Sequence, residues 1–270
     1  MAELLDRAAR TVTASRSPVG FATTGGEHWK VWDRFLTING VHAYHIGNIC
    51  GTCAFFFERM EGADAAVDVG ALTASLSDGL VTLDAGIVES LTQLMPSAEY
   101  IIALLRVRPE LVRPNGSEDY FAVEQIEQVG PNYWGDEPPH DTKTDYYRLE
   151  GRSAVALPHT GADTAGFDFI IPMTPRTALS EERVQFYEAA IAGGQSPTAV
   201  AVSVLDIKGP YDGADHWCLA HYLLDGHHKI AAAARTGSEI TLVAFIAVDQ
   251  GISDRESIET MLSTYPRTAG

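Results

Sequence analysis

The chain has 270 residues, 46% of them hydrophobic, and carries 36 acidic against 19 basic residues for a formal charge of −17. Such a surface repels polyanions, and nonspecific nucleic-acid binding depends on lysine and arginine neutralising phosphates, so no nucleic-acid partner is expected. The apolar content suffices for a substantial core and excludes a disordered chain, and no apolar run reaches the length of a membrane span.

Met1 to Arg10 (MAELLDRAAR) lacks the apolar stretch of a secretory leader, so a cytoplasmic protein with no membrane partner is expected. The first segment that suggests chemistry is Val41 to Arg59 (VHAYHIGNICGTCAFFFER), which contains Cys50-Gly51-Thr52-Cys53. In a reducing compartment this spacing points to metal or redox chemistry rather than to a structural bridge. Two thiolates at this spacing suit a tetrahedral Zn²⁺, which needs two further ligands, and the chain has no second Cys-x-x-Cys. The expected quartet is therefore Cys50, Cys53, His45 and Cys218, a structural zinc joining the N-terminal region to the later core. Cys218 and His221 differ by three, so on one strand they face opposite sides and do not both bind. No βαβ pattern frames the pair as in thioredoxin-like redox proteins. The alternative is two buried thiols beside Phe55, Phe56 and Phe57.

From about Gly62 to Gly166 the patterning is least distinct. Ile87, Val88, Leu91 and Leu94 recur at helical spacing, Ala98 to Arg106 is an apolar run that ends before Pro109, and Tyr120 to Val129 is a further short element. The turn-rich stretch Gly130 to His140 reads as a surface connection, with Tyr133 and Trp134 as candidates to stack on a base.

The last hundred residues are regular. Asp168 to Met173 (DFIIPM) predicts a strand running into a loop, and Ser180-Glu181-Glu182 then places a capping hydroxyl and two carboxylates at the positive end of a helix carrying Val184, Tyr187 and Ile191. Gly193-Gly194 ends that helix. Thr198 to Asp206 and Cys218 to Leu224 predict two strands, Ile240 to Val248 a third, and Ser253 to Ser263 a short acidic helix. Between the second and third strands lies Asp225-Gly226-His227-His228-Lys229, a strand turning abruptly into an alanine-rich helix that closes at Gly237. Gly226 lets the backbone bend and approach a ligand closely. The unpartnered amides and positive dipole of a helix start, with two imidazoles and an ammonium, make an anion site. The alternative reading is a corner whose histidines only cap the helix.

This order of elements, with these residues at the turn, resembles the ParB/sulfiredoxin superfamily, in its Asp-Gly-His-His-Arg branch that includes free-serine kinases; the likeness spans roughly Phe167 to Asp249. In that family the turn and helix start hold the phosphates of ATP, ADP or CTP, which the likeness carries onto Gly226, His227, His228 and Lys229. Lys229 stands where arginine is usual and lacks its bidentate fork. Sulfiredoxins place a catalytic cysteine where this chain has His227, and partition proteins have Glu-Arg-Arg where it has His227-His228-Lys229, so neither of those chemistries is implied.

The fold class expected is α+β: a ParB/sulfiredoxin-like mixed sheet with helices over 167–270, and an N-terminal α/β extension over 1–166 that holds the zinc. The function expected is nucleotide-dependent phosphoryl transfer or nucleotide hydrolysis on a small molecule, using ATP or ADP, with CTP as a third candidate, together with Mg²⁺. Asp225 would be magnesium ligand or base, His227 and His228 phosphate donors in catalysis, Arg176 a second phosphate contact and Glu182, or its neighbour Glu181, a carboxylate facing the acceptor. The partners expected are a small-molecule substrate and a nucleotide, with a homodimer as the oligomeric option. Two further readings stay open: a nonenzymatic nucleotide- or phosphometabolite-binding regulator, and a zinc-dependent hydrolase in which His216, His221 or Glu58 serves as base.

Overall fold

Near-continuous apolar runs in the central strands decide the architecture, because they give those strands two faces that must both be covered. The structure, a computed structural model, describes residues 2–13, 17–26, 29–65, 67, 69–129, 144–158, 164–211 and 214–267. The strands are β1 (Glu3–Val12), β2 (Val19–Gly26), β3 (Trp29–Ile38), β4 (Val41–Asn48), β5 (Glu58–Arg59), β6 (Ala98–Val107), β7 (Pro109–Val112), β8 (Tyr146–Leu149), β9 (Val155–Ala156), β10 (Ala165–Pro172), β11 (Thr198–Tyr211), β12 (Ala214–Asp225) and β13 (Ile240–Ala247). The helices are α1 (Thr73–Asp78), α2 (Ala85–Thr92), α3 (Glu124–Val129), α4 (Glu181–Ala192), α5 (His227–Thr236) and α6 (Arg255–Ser263). The fold is thus mixed α+β. Among the described residues no helix is long and apolar enough to cross a membrane.

A nine-stranded sheet runs in the order β1-β6-β13-β11-β12-β10-β8-β7, with β9 paired to β10. It is mixed: β10 with β12 and β11 with β13 are parallel, and the other pairings are antiparallel. A separate four-stranded antiparallel sheet, β2-β3-β4-β5, covers one face. On that face Val200, Val202, Val204, Tyr222, Leu224 and Phe245 meet Leu36, Tyr44, Ile46, Phe55 and Phe57 of the small sheet and its following loop. On the other face Ala201, Leu205, Leu219, Leu223, Leu242 and Ala244 meet Ile230 and Ala233 of α5 and Ile258, Met261 and Leu262 of α6. Strand β13 sits inside the sheet with every residue buried, which is why its sequence is apolar at every position but Thr241, whose hydroxyl pairs with that of Thr198.

Each face carries one buried Arg–Asp pair that ties the covering layer to the sheet. Arg34 of β3 bonds both carboxylate oxygens of Asp206 on β11, at 2.9 and 2.6 Å, and also donates to the carbonyls of Gln250 and Ile46. On the opposite face Arg152 donates from Nε to Asp168 of β10 at 2.7 Å and from Nη1 to Thr264 Oγ1 at 2.7 Å, with its guanidinium 3.8 Å from the Tyr265 ring centre. Tyr265 donates its hydroxyl to the other Asp168 oxygen. Burying such charges is tolerable because every one has a partner.

The expected division at residue 166 does not follow the sheet. Strands β1, β6, β7, β8 and β9 precede that boundary and complete the same sheet as β10 to β13, so the N-terminal region supplies edges of the later core as well as the small sheet.

Candidate functional site

Helix α5 begins where β12 must stop. Gly226 adopts φ +97°, in the left-handed region, and a Cβ there would lie 2.7 Å from Ala199 Cβ and 2.9 Å from Ala199 Cα, so both the turn and the close approach to β11 require glycine. Its conformation serves as N-cap but provides no side-chain acceptor. The first-turn amides of His227, His228 and Lys229 have no intrahelical partner by geometry, and among the described residues no protein acceptor reaches them. Helices α2, α4 and α6 differ: Asp84, Ser180 and Asp254 respectively cap them through side-chain oxygens.

Both imidazoles at this start are tied to the loop that follows β10. The Met173 N–H donates to His227 Nε2 at 3.1 Å, and the Ser180 N–H donates to His228 Nε2 at 3.1 Å. An Nε2 that accepts fixes each neutral ring as the Nδ1–H tautomer, so each retains one donor. Burial pushes the His227 pKa down to about 4 and lowers that of His228, which keeps both rings neutral near pH 7. Positive side chains lie close by: Arg59 donates to the Met173 carbonyl at 2.8 Å, pairs with Asp64 at 2.6 Å and lowers the His227 pKa further, while Arg183 lowers that of His228. This corner therefore gathers amides, imidazole N–H groups and two guanidiniums on a chain that is acidic overall.

The expected roles divide when set against this geometry. Gly226, His227 and His228 stand together at the helix start. Lys229, expected to meet phosphate, is instead only 3% exposed and donates to the Thr198 carbonyl at 2.8 Å and to Asp225 Oδ2 at 2.9 Å. It fastens α5 to β11, because a long stem on the inner face of an alanine-rich helix has an internal acceptor within reach. Asp225 gives Oδ2 to that ammonium and keeps Oδ1 without a partner among the described residues. Arg176 is exposed and pairs with Asp145 at 3.1 Å rather than standing free for phosphate. Glu182 lies on the exposed first turn of α4, and Glu181 is engaged by Arg235 at 2.7 and 2.9 Å.

The zinc quartet is not assembled. Cys50 and Cys53 are joined as a disulfide, which removes both thiolates as ligands. Cys218 is buried with its thiol 3.5 Å from the Tyr120 hydroxyl, His45 Nε2 pairs with Asp33 at 3.1 Å, and no group of metal-ligating side chains occurs among the described residues. As expected, Cys218 and His221 face opposite sides of the sheet: Cys218 joins the core under the small sheet, while His221 turns toward Asp168.

Two other arrangements lie apart from the α5 corner. Ser203 Oγ lies 2.8 Å from His221 Nδ1, and His221 Nε2 lies 3.9 Å from Asp168 Oδ1, but all three are sealed beneath α6 and Asp168 already serves Arg152 and Tyr265. A shallow hollow of about 190 Å³ between β2, β3 and the turn after β13 is lined by Phe21, Val31, Ile46 and Ile49 and floored by the committed Arg34. It is separate in composition and position from the α5 corner. Tyr133 and Trp134 lie outside the described residues.

Arg59 and Arg183 are the members of the corner that sequence reasoning missed. Arg59 closes an aromatic run far from the turn, and Arg183 reads as an ordinary exposed helix residue, so no local signal links either to the histidines. Comparison of the chain with protein-family models, with curated proteins and with solved structures finds no match.

Proposed function

We propose that the start of α5 binds the phosphates of a nucleotide, ATP or ADP in the first place and CTP as a third candidate, with Mg²⁺, and that the chain transfers or hydrolyses a phosphoryl group on a small-molecule substrate. The observation that carries this reading is the uncapped first turn of α5, whose amides lack protein acceptors while His227 and His228 each keep an Nδ1–H to donate. An anion there meets the positive end of the helix dipole, and Arg183 adds charge, while the Arg59 guanidinium is shared with Asp64 at 2.6 Å. Asp225 Oδ1 is the carboxylate oxygen suited to magnesium, which commonly needs only one or two protein carboxylates beside phosphate oxygens. The sequence of β10, α4, β11, β12, α5 and β13 agrees with the element order on which the ParB/sulfiredoxin resemblance rests, and we infer that fold for this part of the chain.

One observation favours a second reading. The Lys229–Asp225 pair withdraws the cation and half of the carboxylate that transfer chemistry would use, which suits a nonenzymatic binder of a nucleotide or phosphometabolite.

Titration calorimetry with ATP, ADP, CTP and inorganic phosphate, each with and without Mg²⁺, tests the shared part of both readings. Saturable binding is expected, and it is expected to vanish in His228→Asp, which places a carboxylate beside the open amides. Absence of binding to all four ligands at millimolar concentration overturns the assignment. Consumption of nucleotide by the binding-competent protein in the presence of candidate acceptors separates transfer from simple binding.

A further inference from the structure

The Cys-x-x-Cys segment takes no part in the α5 corner, yet its geometry suits chemistry of its own. We propose that the Cys50–Cys53 disulfide is a thiol–disulfide exchange site for an accessible dithiol. Both cysteines are partly exposed, on the loop joining β4 to β5, and Thr52 between them is exposed. The bond spans a sequence separation of three, and closing so short a loop removes little entropy from the unfolded chain, so it is a poor staple.

The loop is held in place by other means. The Cys50 N–H donates to Asn48 Oδ1 at 3.0 Å, Lys208 Nζ donates to the Cys50 carbonyl at 2.9 Å, and the Gly209 N–H donates to the Gly51 carbonyl at 2.8 Å. These bonds anchor Cys50 and Gly51 to the end of β4 and to β11 without involving the sulfurs, which keeps the thiols placed to re-form the bond. Thr52 Oγ1 lies 3.5 Å from Cys50 Sγ and can donate to it as a thiolate, and the Lys208 ammonium brings positive charge to the same residue. The third cysteine, Cys218, is fully buried and cannot divert the exchange.

In the reductive direction a thiolate of the dithiol attacks Cys53 Sγ, the Cys50–Cys53 bond breaks, and Cys50 leaves as a thiolate. The second thiol of the reagent, once deprotonated, attacks the sulfur it shares with Cys53. Cys53 leaves as a thiolate, and the reagent closes into a cyclic disulfide. Two electrons pass from reagent to protein and the two protons of the dithiol end on the cysteines or in solvent. The reverse sequence oxidises the protein dithiol.

The test equilibrates the full chain, without denaturant, at graded ratios of reduced to oxidised dithiothreitol, then blocks free thiols with an alkylating reagent and counts the added groups by mass. A reversible two-thiol transition, with an unchanged circular dichroism spectrum at both ends, is the expected result. Cys53→Ser is expected to capture glutathione on Cys50 when treated with glutathione disulfide. Thr52→Val is expected to slow that capture by about threefold to tenfold, the effect of up to one pKa unit at the thiol. A pair that resists reduction until the chain is unfolded, that fails to re-form on dilution of reductant, or whose Cys53→Ser variant takes up no glutathione while natively folded, overturns the proposal.

Discussion

Helices α4 and α5 pack side by side through Val184, Tyr187, Ala231 and Ala232, yet their first turns are in opposite electrostatic states. The start of α4 is closed: Ser180 Oγ accepts the Arg183 N–H at 3.4 Å, Glu181 and Glu182 follow, and Arg235 from the far end of α5 neutralises Glu181. The start of α5 is open, with glycine at the cap, imidazoles in place of acids and no acidic residue in the turn. The two are joined, since the Ser180 N–H donates to His228. A chain with 36 acidic residues places none of them in the first turn of α5. The same preference of a helix start for negative charge is met inside the molecule at α4 and left for a ligand at α5.

Acidification should separate the two helix starts by the largest margin. Burial holds His216, His221 and His227 at pKa values of about 4, below the 6.5 of an unfolded histidine. The unfolded chain therefore takes up protons first. The stability these rings contribute is fully present above about pH 6.5 and is lost as pH falls through about 4, on the order of 3 kcal/mol for each ring. Glu181, held below its ordinary carboxylate range by its hydrogen bonds to Arg235, gives up its contribution only below about pH 4.5. Urea unfolding at pH 7, 5.5 and 4.5 measures this, and a flat profile across that range would remove the neutral-imidazole description of α5.

Gly226→Ala is next in size. The left-handed φ and the contact with Ala199 together should cost about 3 kcal/mol, against about 1 kcal/mol for Gly237→Ala, where φ is +60° and nothing lies within 4 Å. Equal losses at the two glycines, read from denaturation midpoints, would mean that Gly226 is needed only for its backbone angle. Lys229→Met should cost about 2 kcal/mol by leaving Asp225 and the Thr198 carbonyl unpartnered, while the affinity for inorganic phosphate stays within about twofold. A much larger loss of phosphate affinity, measured by calorimetry on the folded variant, would return Lys229 to the binding site. The smallest effect is expected at the closed helix: Ser180→Ala should cost about 1 kcal/mol and leave phosphate binding unchanged, whereas weakened binding would show that the two starts act as one site.

What could be read in advance was whatever is written locally. The cap at Ser180, the end of α4 before Gly193, the β-branched run that becomes β11 and the Asp225-Gly226 turn all depend on residues within a few positions of one another, and each appears where its sequence places it. The Asp225–Lys229 pair is not a helix-face pair, since Asp225 ends β12 and Lys229 lies in the first turn of α5; the Gly226 turn between them brings the two together, while the sequence pattern points the lysine outward toward a ligand. The small sheet was not legible as a sheet: His42, Tyr44, His45 and Asn48 interrupt the alternation of β4, and its pairing with β3 carries two register shifts. Cysteine spacing gave the pair at Cys50 and Cys53 but could not say whether the sulfurs meet each other or a metal. Arg59 reaches Met173 only after two sheets have packed, so its place beside His227 is a product of tertiary structure.

The pairing of β13 with β6 bears on how this molecule can be dissected. In residues 167–270 alone, the ladder from Ile240 against Val107 to Ala247 against Tyr100 would be missing, and β13 would present a bare, largely apolar edge with its amides and carbonyls ready to template onto a neighbouring chain. Asp206 would at the same time lose Arg34 and keep the Ile252 N–H but no cationic partner on the stripped face. Such a fragment is expected to precipitate or form aggregates, so the shorter piece that sequence resemblance recommends is the wrong material for a ligand-binding measurement.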